Sequence, residues 1–435
     1  MLYYVCGIFR VLIKFHNSKQ YSVTYMLESK TIFEKKLTDK EQNLRLNHNL
    51  LLESAQVGDK PFDKKFYETA PLPHALDQAT NIIIILGDHI GDATLELPII
   101  TSLAKYFELN SLEGKKITLI SPHRDLFKGL KTICPGLDLL DNVESFHPSP
   151  DDKLFCFNLN RKFHDYSIFG MEATDEQNPM KVFSHDCQDW VKEEIPIRPG
   201  VTRKYDMLPL RIMRNMEISF GQKLYEDIYD IREFIPKENN FDEQKEALIK
   251  KLNLDANRPL ITISPASSAQ GKEYAPECWE SLIAIICERK PNLQIFFIDD
   301  PDERKRILYG DMIDRLKRDN VHRGNVAFSE MNTLMHMTRL SVTPDTGLGH
   351  YSSMCGTPNV MFSLQNSIFW SGPNTFRITH PYGREMIRNH ALVDLSFKDS
   401  ENSFYYGEPE SKRGASDISP ERVAERVLKI IQYED

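Results

Sequence analysis

The chain lacks any Cys-x-x-Cys pair, any His-x-x-x-His or His-Glu-x-x-His spacing, and any Gly-x-x-x-x-Gly-Lys-Ser/Thr loop. Its seven cysteines (Cys6, Cys134, Cys156, Cys187, Cys278, Cys287, Cys355) are scattered and odd in number. That pattern fits neither a disulfide framework nor a zinc site, and reads as reduced thiols in a cytosolic protein. Without histidine pairs a metal constellation has no support, so no metal ligand is expected. Positive charge is scarce: 54 Lys and Arg stand against 63 Asp and Glu, for a net charge of -9. No nucleic-acid partner is expected, because general binders rely on a basic excess to displace counterions. Long apolar runs are missing too. The most apolar stretch, MLYYVCGIFRVLIKFH, is broken by Arg10 and Lys14 and is too short to span a bilayer. A peripheral contact of this segment with a membrane stays open.

What is present is a chain of 435 residues, 41% of them hydrophobic, enough for two or three domains. Residues 1–75 read as an N-terminal extension, of which 27–75 look like an irregular helical arm with a Pro-rich exit, PLPHALD. At Asn81 the character changes. NIIIILGD is a continuous apolar run ending in Gly-Asp, as expected for a strand buried on both faces of a parallel sheet. ATLELPIITSLAKYF follows with helical spacing, and KKITLISP and KLFCFNLN read as further strands. Residues 76–235 form this first α/β unit. A second unit, 236–418, repeats the strand–helix grammar through RPLITISPAS, CWESLIAIICERK, LQIFFIDDPDE and NTLMHMTRLSVTPD. Residues 419–435 close the chain as a helix, with Ser419 at the N-cap and Pro420 at the first helical position. Two α/β units in tandem place a cleft between the carboxyl ends of their sheets, where open α/β sheets bind ligands.

Three strand-end loops carry residues suited to chemistry. In LGDHIGDATLELP, Asp88 and Asp92 each follow a glycine. An aspartate there serves as general base toward an attacking hydroxyl, or Asp92 simply N-caps the next helix. In SPASSAQGKEYAP, Ser267, Ser268 and backbone N–H groups precede a lone Lys272, a set that suits a departing diphosphate. In PDTGLGHYSSMCGTPNVMFS, Asp345, Thr346 and Gly347 follow a strand and Leu348 begins a helix whose first turn holds His350. Helix N-terminal N–H groups favour phosphate. Asp345 is alternatively only a helix cap.

In this order the loops resemble glycosyltransferase family 9, the lipopolysaccharide heptosyltransferases. The match rests on Asp92 with Leu97-Pro98, on Pro265-Ala266-Ser267 leading to Lys272-Glu273-Tyr274, and on Asp345-Thr346-Gly347-Leu348-Gly349-His350 with Gly356-Thr357-Pro358. It covers roughly residues 80–435. The resemblance implies a GT-B fold, two Rossmann-like domains facing a cleft, and an inverting, metal-independent transfer of a heptose-like sugar to an acceptor hydroxyl. Asp92 would be the base and Lys272 the neutraliser of the diphosphate. Ser267, Ser268, Thr346, Gly347, Leu348 and His350 would hold the donor, with Asp345 fixing their geometry. The acidic end of IFFIDDPDE (Asp299, Asp300, Asp302) sits where a carboxylate accepts ribose hydroxyls; Asp302 is carried forward with that choice open. Met331 and Leu334 are candidates for a nucleobase pocket or for core. No cofactor is implied beyond a nucleotide-diphosphate sugar as co-substrate, ADP-sugar favoured. The partner would be a glycan or glycolipid acceptor, in the cytoplasm or at the inner face of the membrane.

The chain also departs from that family. Asp88 and His89 stand where small residues are usual, Ala266 replaces a glycine, Tyr274 a tryptophan and Glu96 a threonine. Basic residues for an anionic acceptor are few, Arg124 and Lys128 being the best, followed by Arg161 and Lys162. A nucleotide-sugar epimerase or hydrolase, and a non-catalytic binding protein of the same fold, are the alternatives.

Overall fold

Three sheets organise the chain. The computed structural model describes residues 2–36 outside 7–8, 18–19 and 28–29, residue 76, and 79–160 outside 111–113 and 150–151. It further describes 208–379 outside 266, 268–271, 364–370 and four single positions between 221 and 230, and finally 415–433. Ser268, Arg161, Lys162 and residues 37–75 lie outside the described residues.

Strands β1 (Leu2–Cys6), β2 (Phe9–Asn17), β3 (Gln20–Leu27) and β4 (Lys30–Lys36) pair antiparallel in the order β1-β2-β3-β4. This corrects the helical arm over 30–36. Val11, Ile13 and Phe15 alternate with Arg10, Leu12 and Lys14, and Val23 and Tyr25 with Ser22 and Thr24. A period of two builds a pleated strand, not a helical face.

The first α/β domain follows. β5 (Asn81–Ile85) sits inside a parallel sheet with β6 (Lys116–Ile120), β7 (Leu137–Leu140) and β8 (Leu154–Asn158), in the order β7-β6-β5-β8. Its isoleucines divide between two cores, Ile82 and Ile84 on one face, Ile83 and Ile85 on the other. The stretch after β5 forms two helices, α1 (Ile90–Glu96) and α2 (Pro98–Asn110), not one. Pro98 has no N–H to donate, so the ladder is interrupted at Leu97. α3 (Leu208–Phe220) returns to this domain, its Phe220 stacked on Tyr106 of α2 at 4.1 Å between ring centres.

The second domain holds α4 (Phe241–Leu252), β9 (Leu260–Ile263), α5 (Pro276–Arg289), β10 (Gln294–Ile298) and α6 (Glu303–Leu316). It continues with β11 (Val321–Gly324), α7 (Phe328–Met337), β12 (Leu340–Pro344), α8 (Gly347–Met354), β13 (Asn359–Ser363), β14 (Thr375–Thr379) and α9 (Pro420–Tyr433). All six strands run parallel, in the order β11-β10-β9-β12-β13-β14. That is the doubly wound order, and its direction reverses between β9 and β12. The loops after those two strands therefore flank the crevice. In the first sheet the reversal falls between β5 and β8. α9 is not a separate appendage: Val423, Ala424, Val427 and Ile430 pack into the second domain's core.

One apolar core joins the domains. Leu126, Phe127 and Leu130 of the first cluster with Met331, Leu334, Met335, Tyr351 and Met354 of the second, so Met331 and Leu334 are core residues and not a nucleobase pocket. A polar contact stitches the same seam: Tyr351 Oη donates to the Leu126 carbonyl (2.7 Å).

Candidate active site

The corner at Pro344–His350 is built by the end of β12 and the start of α8. Thr346 is the N-cap of α8, its hydroxyl accepting from the Gly349 N–H. The helix lies on a polar face of the sheet. Ser352 bonds Ser341 at 2.6 Å, Ser341 bonds Asn359 at 2.9 Å, and Asn359 Nδ2 donates to the Gly349 carbonyl at 3.1 Å. A Cβ on Gly349 would stand 2.3 Å from Thr343 Oγ1, so only glycine lets the helix settle this low. Hydrogen-bonded docking of this kind fixes one orientation more sharply than apolar contact would.

Asp345 is buried (7% exposed) beneath that helix start. Its Oδ1 lies 3.3 Å from His350 Nε2 and 3.8 Å from the Arg377 guanidinium, and its Oδ2 lies 3.6 Å from Lys272 Nζ. Burial alone would push its carboxyl up. Arg377, the His350 hydrogen bond and Lys272 together outweigh burial and hold it well below the usual carboxylate range. The reading of Asp345 as a mere helix cap does not stand, because Thr346 caps α8. Arg377 was missing from the sequence reading. Its signal was the alternation in TFRIT, where Phe376 and Ile378 share one face and Arg377 the other.

The first-domain loop meets this corner directly. A Cβ on Gly347 would stand 2.7 Å from Ile90 Cβ and 3.1 Å from the Gly91 nitrogen, and one on Gly91 3.1 Å from His350 Cδ2. The starts of α1 and α8 thus face each other across the cleft. His89, not Asp92, is the N-cap of α1, so Asp92 belongs to the first turn and the capping alternative is overturned. Asp92 is half-buried and makes no hydrogen bond or ion pair among the described residues. Asp88 is engaged elsewhere: its carboxylate accepts from Asn160 Nδ2 (2.7 Å) and its carbonyl from His123 Nε2 (2.7 Å). Glu96 is buried and its Oε2 accepts from the Gly87 N–H (3.2 Å), which ties the loop to its own helix.

The lysine loop lies on the other side of the β9/β12 crevice. Ser267 is buried, and its carbonyl accepts from Lys305 Nζ (2.7 Å), which also pairs with Glu273 (2.5 Å). Asp302 is spent as the N-cap of α6, accepting from the Arg304 and Lys305 N–H groups. Asp300, at the end of β10, is buried instead. Its Oδ1 accepts from the Asp302 N–H (2.8 Å), while its Oδ2 has no partner among the described residues. Asp300 therefore replaces Asp302 as the open carboxylate of that strand end. Arg124 and Lys128 line a recess of about 470 Å³ with Lys131, Glu238 and Asn240, and are paired with Asp141 (3.9 Å) and Asp125 (2.8 Å). No three His, Cys, Asp or Glu side chains gather as a metal site among the described residues, and no described helix is long and apolar enough to cross a membrane.

Residues 214–383 match the profile of glycosyltransferase family 9 (heptosyltransferase). This region, less than half of the chain, is similar to that family. A search of the curated proteins found no match. Among solved structures, a family 9 glycosyltransferase from Veillonella parvula is similar at 16% identity and a TM-score of 0.53, covering 82% of this chain and 99% of that one. The E. coli ADP-heptose lipopolysaccharide heptosyltransferase II is similar at 11% identity and a TM-score of 0.49, covering 82% of this chain and 100% of that one. The fold likeness makes the architecture GT-B, and the profile match supports the activity of a glycosyltransferase using a nucleotide sugar.

Within the matched region, Tyr274, which stands where the resemblance implies a tryptophan, has a structural role. Tyr274 is fully buried against Trp279 and Phe362, and its hydroxyl donates to the Ile418 carbonyl (2.7 Å). The lysine loop is thereby tied to the segment that leads into α9.

Proposed function

We propose that this glycosyltransferase inverts the anomeric centre of a nucleotide-diphosphate sugar in one displacement, without a metal. The observation that carries the reading is the position of Asp92, a carboxylate without a partner among the described residues, one residue beyond Gly91, where the first domain touches His350 and Gly347. The acceptor oxygen attacks the anomeric carbon while Asp92 takes its proton. The bond from that carbon to the diphosphate oxygen breaks on the opposite side, and the electron pair leaves with the diphosphate. A positioned base of this kind is worth roughly 10²–10⁴ in rate. The leaving charge falls to Lys272, to Ser267 and to the N–H groups of Gly347 and Leu348 at the start of α8. Asp300 Oδ2 is suited to accept from ribose hydroxyls, which would relieve its buried unpaired state.

ADP-heptose is the favoured donor class, since heptosyltransferase is the description of the matching family. On the acceptor side, the recess at Arg124, Lys128 and Lys131 suits an anionic glycan or glycolipid. The test is release of free nucleotide and formation of product from ADP-, GDP- and UDP-sugars. Transfer only from a donor of another nucleotide class would overturn the ADP assignment. Retention at the anomeric carbon would overturn the single displacement.

A further inference from the structure

Asp345 poses an electrostatic problem for a diphosphate corner. A carboxylate there repels the ligand, and it engages Lys272, the cation the ligand needs, at 3.6 Å. The sheet register supplies the compensation. Arg377 on β14 pairs with Met361 on β13, and Met361 with Thr343 on β12, so the three side chains stand on one face, under α8. From that face the guanidinium reaches Asp345 Oδ1 at 3.8 Å, and its Nε donates to Ser371 Oγ at 2.6 Å. Its side chain is buried (7% exposed), so it faces the carboxylate and is screened from solvent. A guanidinium suits this place because it stays charged when buried and is weakly hydrated.

Resting on the donor reading above, we infer that Arg377 is a positioning residue: it neutralises Asp345 from the sheet side and leaves the charge of Lys272 to the donor diphosphate. The described charged groups around Asp345 are Arg377 on β14, Lys272 in the loop after β9, and His350 on α8, which adds a charge when protonated. Among the described residues, with Arg377 present one carboxylate meets two fixed cations and the corner keeps a surplus positive charge. Without it, Asp345 and Lys272 cancel and the surplus is gone.

The test uses the full chain, with ADP, GDP and UDP each titrated alone by calorimetry, followed by transfer kinetics. Arg377→Gln is expected to weaken the preferred nucleoside diphosphate by about tenfold or more and to raise donor KM in step, with a smaller change in kcat. Arg377→Lys recovers most of that loss. The double variant Asp345→Asn/Arg377→Gln binds better than Arg377→Gln alone, since the carboxylate that competes for Lys272 is gone. A folded Arg377→Gln with unchanged binding overturns the inference, as does a double variant weaker than the single one. Should Arg377→Gln not fold, Ser371→Ala removes the acceptor that aims the guanidinium. A rise of about threefold in donor KM then supports the inference, and an unchanged KM overturns it. If the unaltered chain binds none of the three nucleotides, the donor reading falls and takes this inference with it. Binding by the unaltered chain with indifferent variants overturns this inference alone.

Discussion

Asn160 donates a 2.7 Å hydrogen bond to the Asp88 carboxylate, and the two residues lie just beyond the ends of β8 and β5, neighbours at the reversal of the first sheet. The sheet itself sets this pairing. It draws one of the loop's two carboxylates away and leaves Asp92 as the one without a partner among the described residues. That separation answers the difficulty raised by a second aspartate beside the proposed base.

Asp92→Asn is accordingly expected to lower kcat by roughly 10²–10⁴ while nucleotide binding, read by calorimetry, stays within about twofold. Asp88→Asn keeps an acceptor for Asn160 and costs less than about tenfold. The reverse ranking would exchange the two roles.

Lys272→Ala should raise donor KM and lower kcat together, because the ammonium meets charge in the ground state and more of it in the transition state. A loss of about 10²-fold or more in kcat/KM is expected, and a steady-state titration of donor reads it. Unchanged kinetics would remove Lys272 from the site.

Gly347 and Ile90 form a tight contact between the domains, with 2.7 Å from a Gly347 Cβ to Ile90 Cβ. Gly347→Ala forces the two helix starts apart, and misplacement of about 1 Å can cost roughly 10²-fold in rate. Adding Ile90→Ala makes room and should restore part of the loss, measured as kcat/KM of both variants. No recovery would mean that the contact does not set the cleft.

Tyr351→Phe deletes the buried bond to the Leu126 carbonyl across the seam. Urea unfolding should show a loss of about 1–3 kcal/mol with an unchanged slope.

Asp345 predicts a pH dependence. Its folded carboxyl lies below the ordinary value, so its contribution is complete above about pH 4, the unfolded value, and is lost as pH falls toward the folded one. Asp345→Asn removes the carboxylate that faces the buried Arg377 guanidinium and should cost about 3 kcal/mol or more at pH 7. Denaturant unfolding at pH 7 and pH 3 should show the gap to the unaltered chain narrowing in acid. A gap that widens in acid would contradict the assigned shift.

The strands NIIII, LITI and QIFFI were readable because a run buried on both faces has little alternative to a parallel sheet, and the loops after them followed from that. Helix start signals were less decisive. By spacing Asp92 stands where a cap could be, and the N-cap position belongs to His89, whose side chain makes no capping bond; Asp302, one of three acidic candidates after β10, caps α6. Spacing states which residues are near a helix start, whereas backbone direction decides which side chain can turn back onto its N–H groups. β14 went unread because a five-residue strand with an arginine at its centre carries too little apolar pattern to stand out.

The sequence by itself determined two α/β units, the order of three loops, and the residue types gathered at their ends, since hydrophobic period and turn chemistry are local properties. Only the tertiary structure decided which of two aspartates is left open, which acidic residue after β10 is buried, and that Asp345 is held by an arginine two strands away. Those outcomes depend on strand order and on the seating of α8 against α1. Both are contacts between distant segments, where burial and charge balance are set by neighbours that no local pattern names.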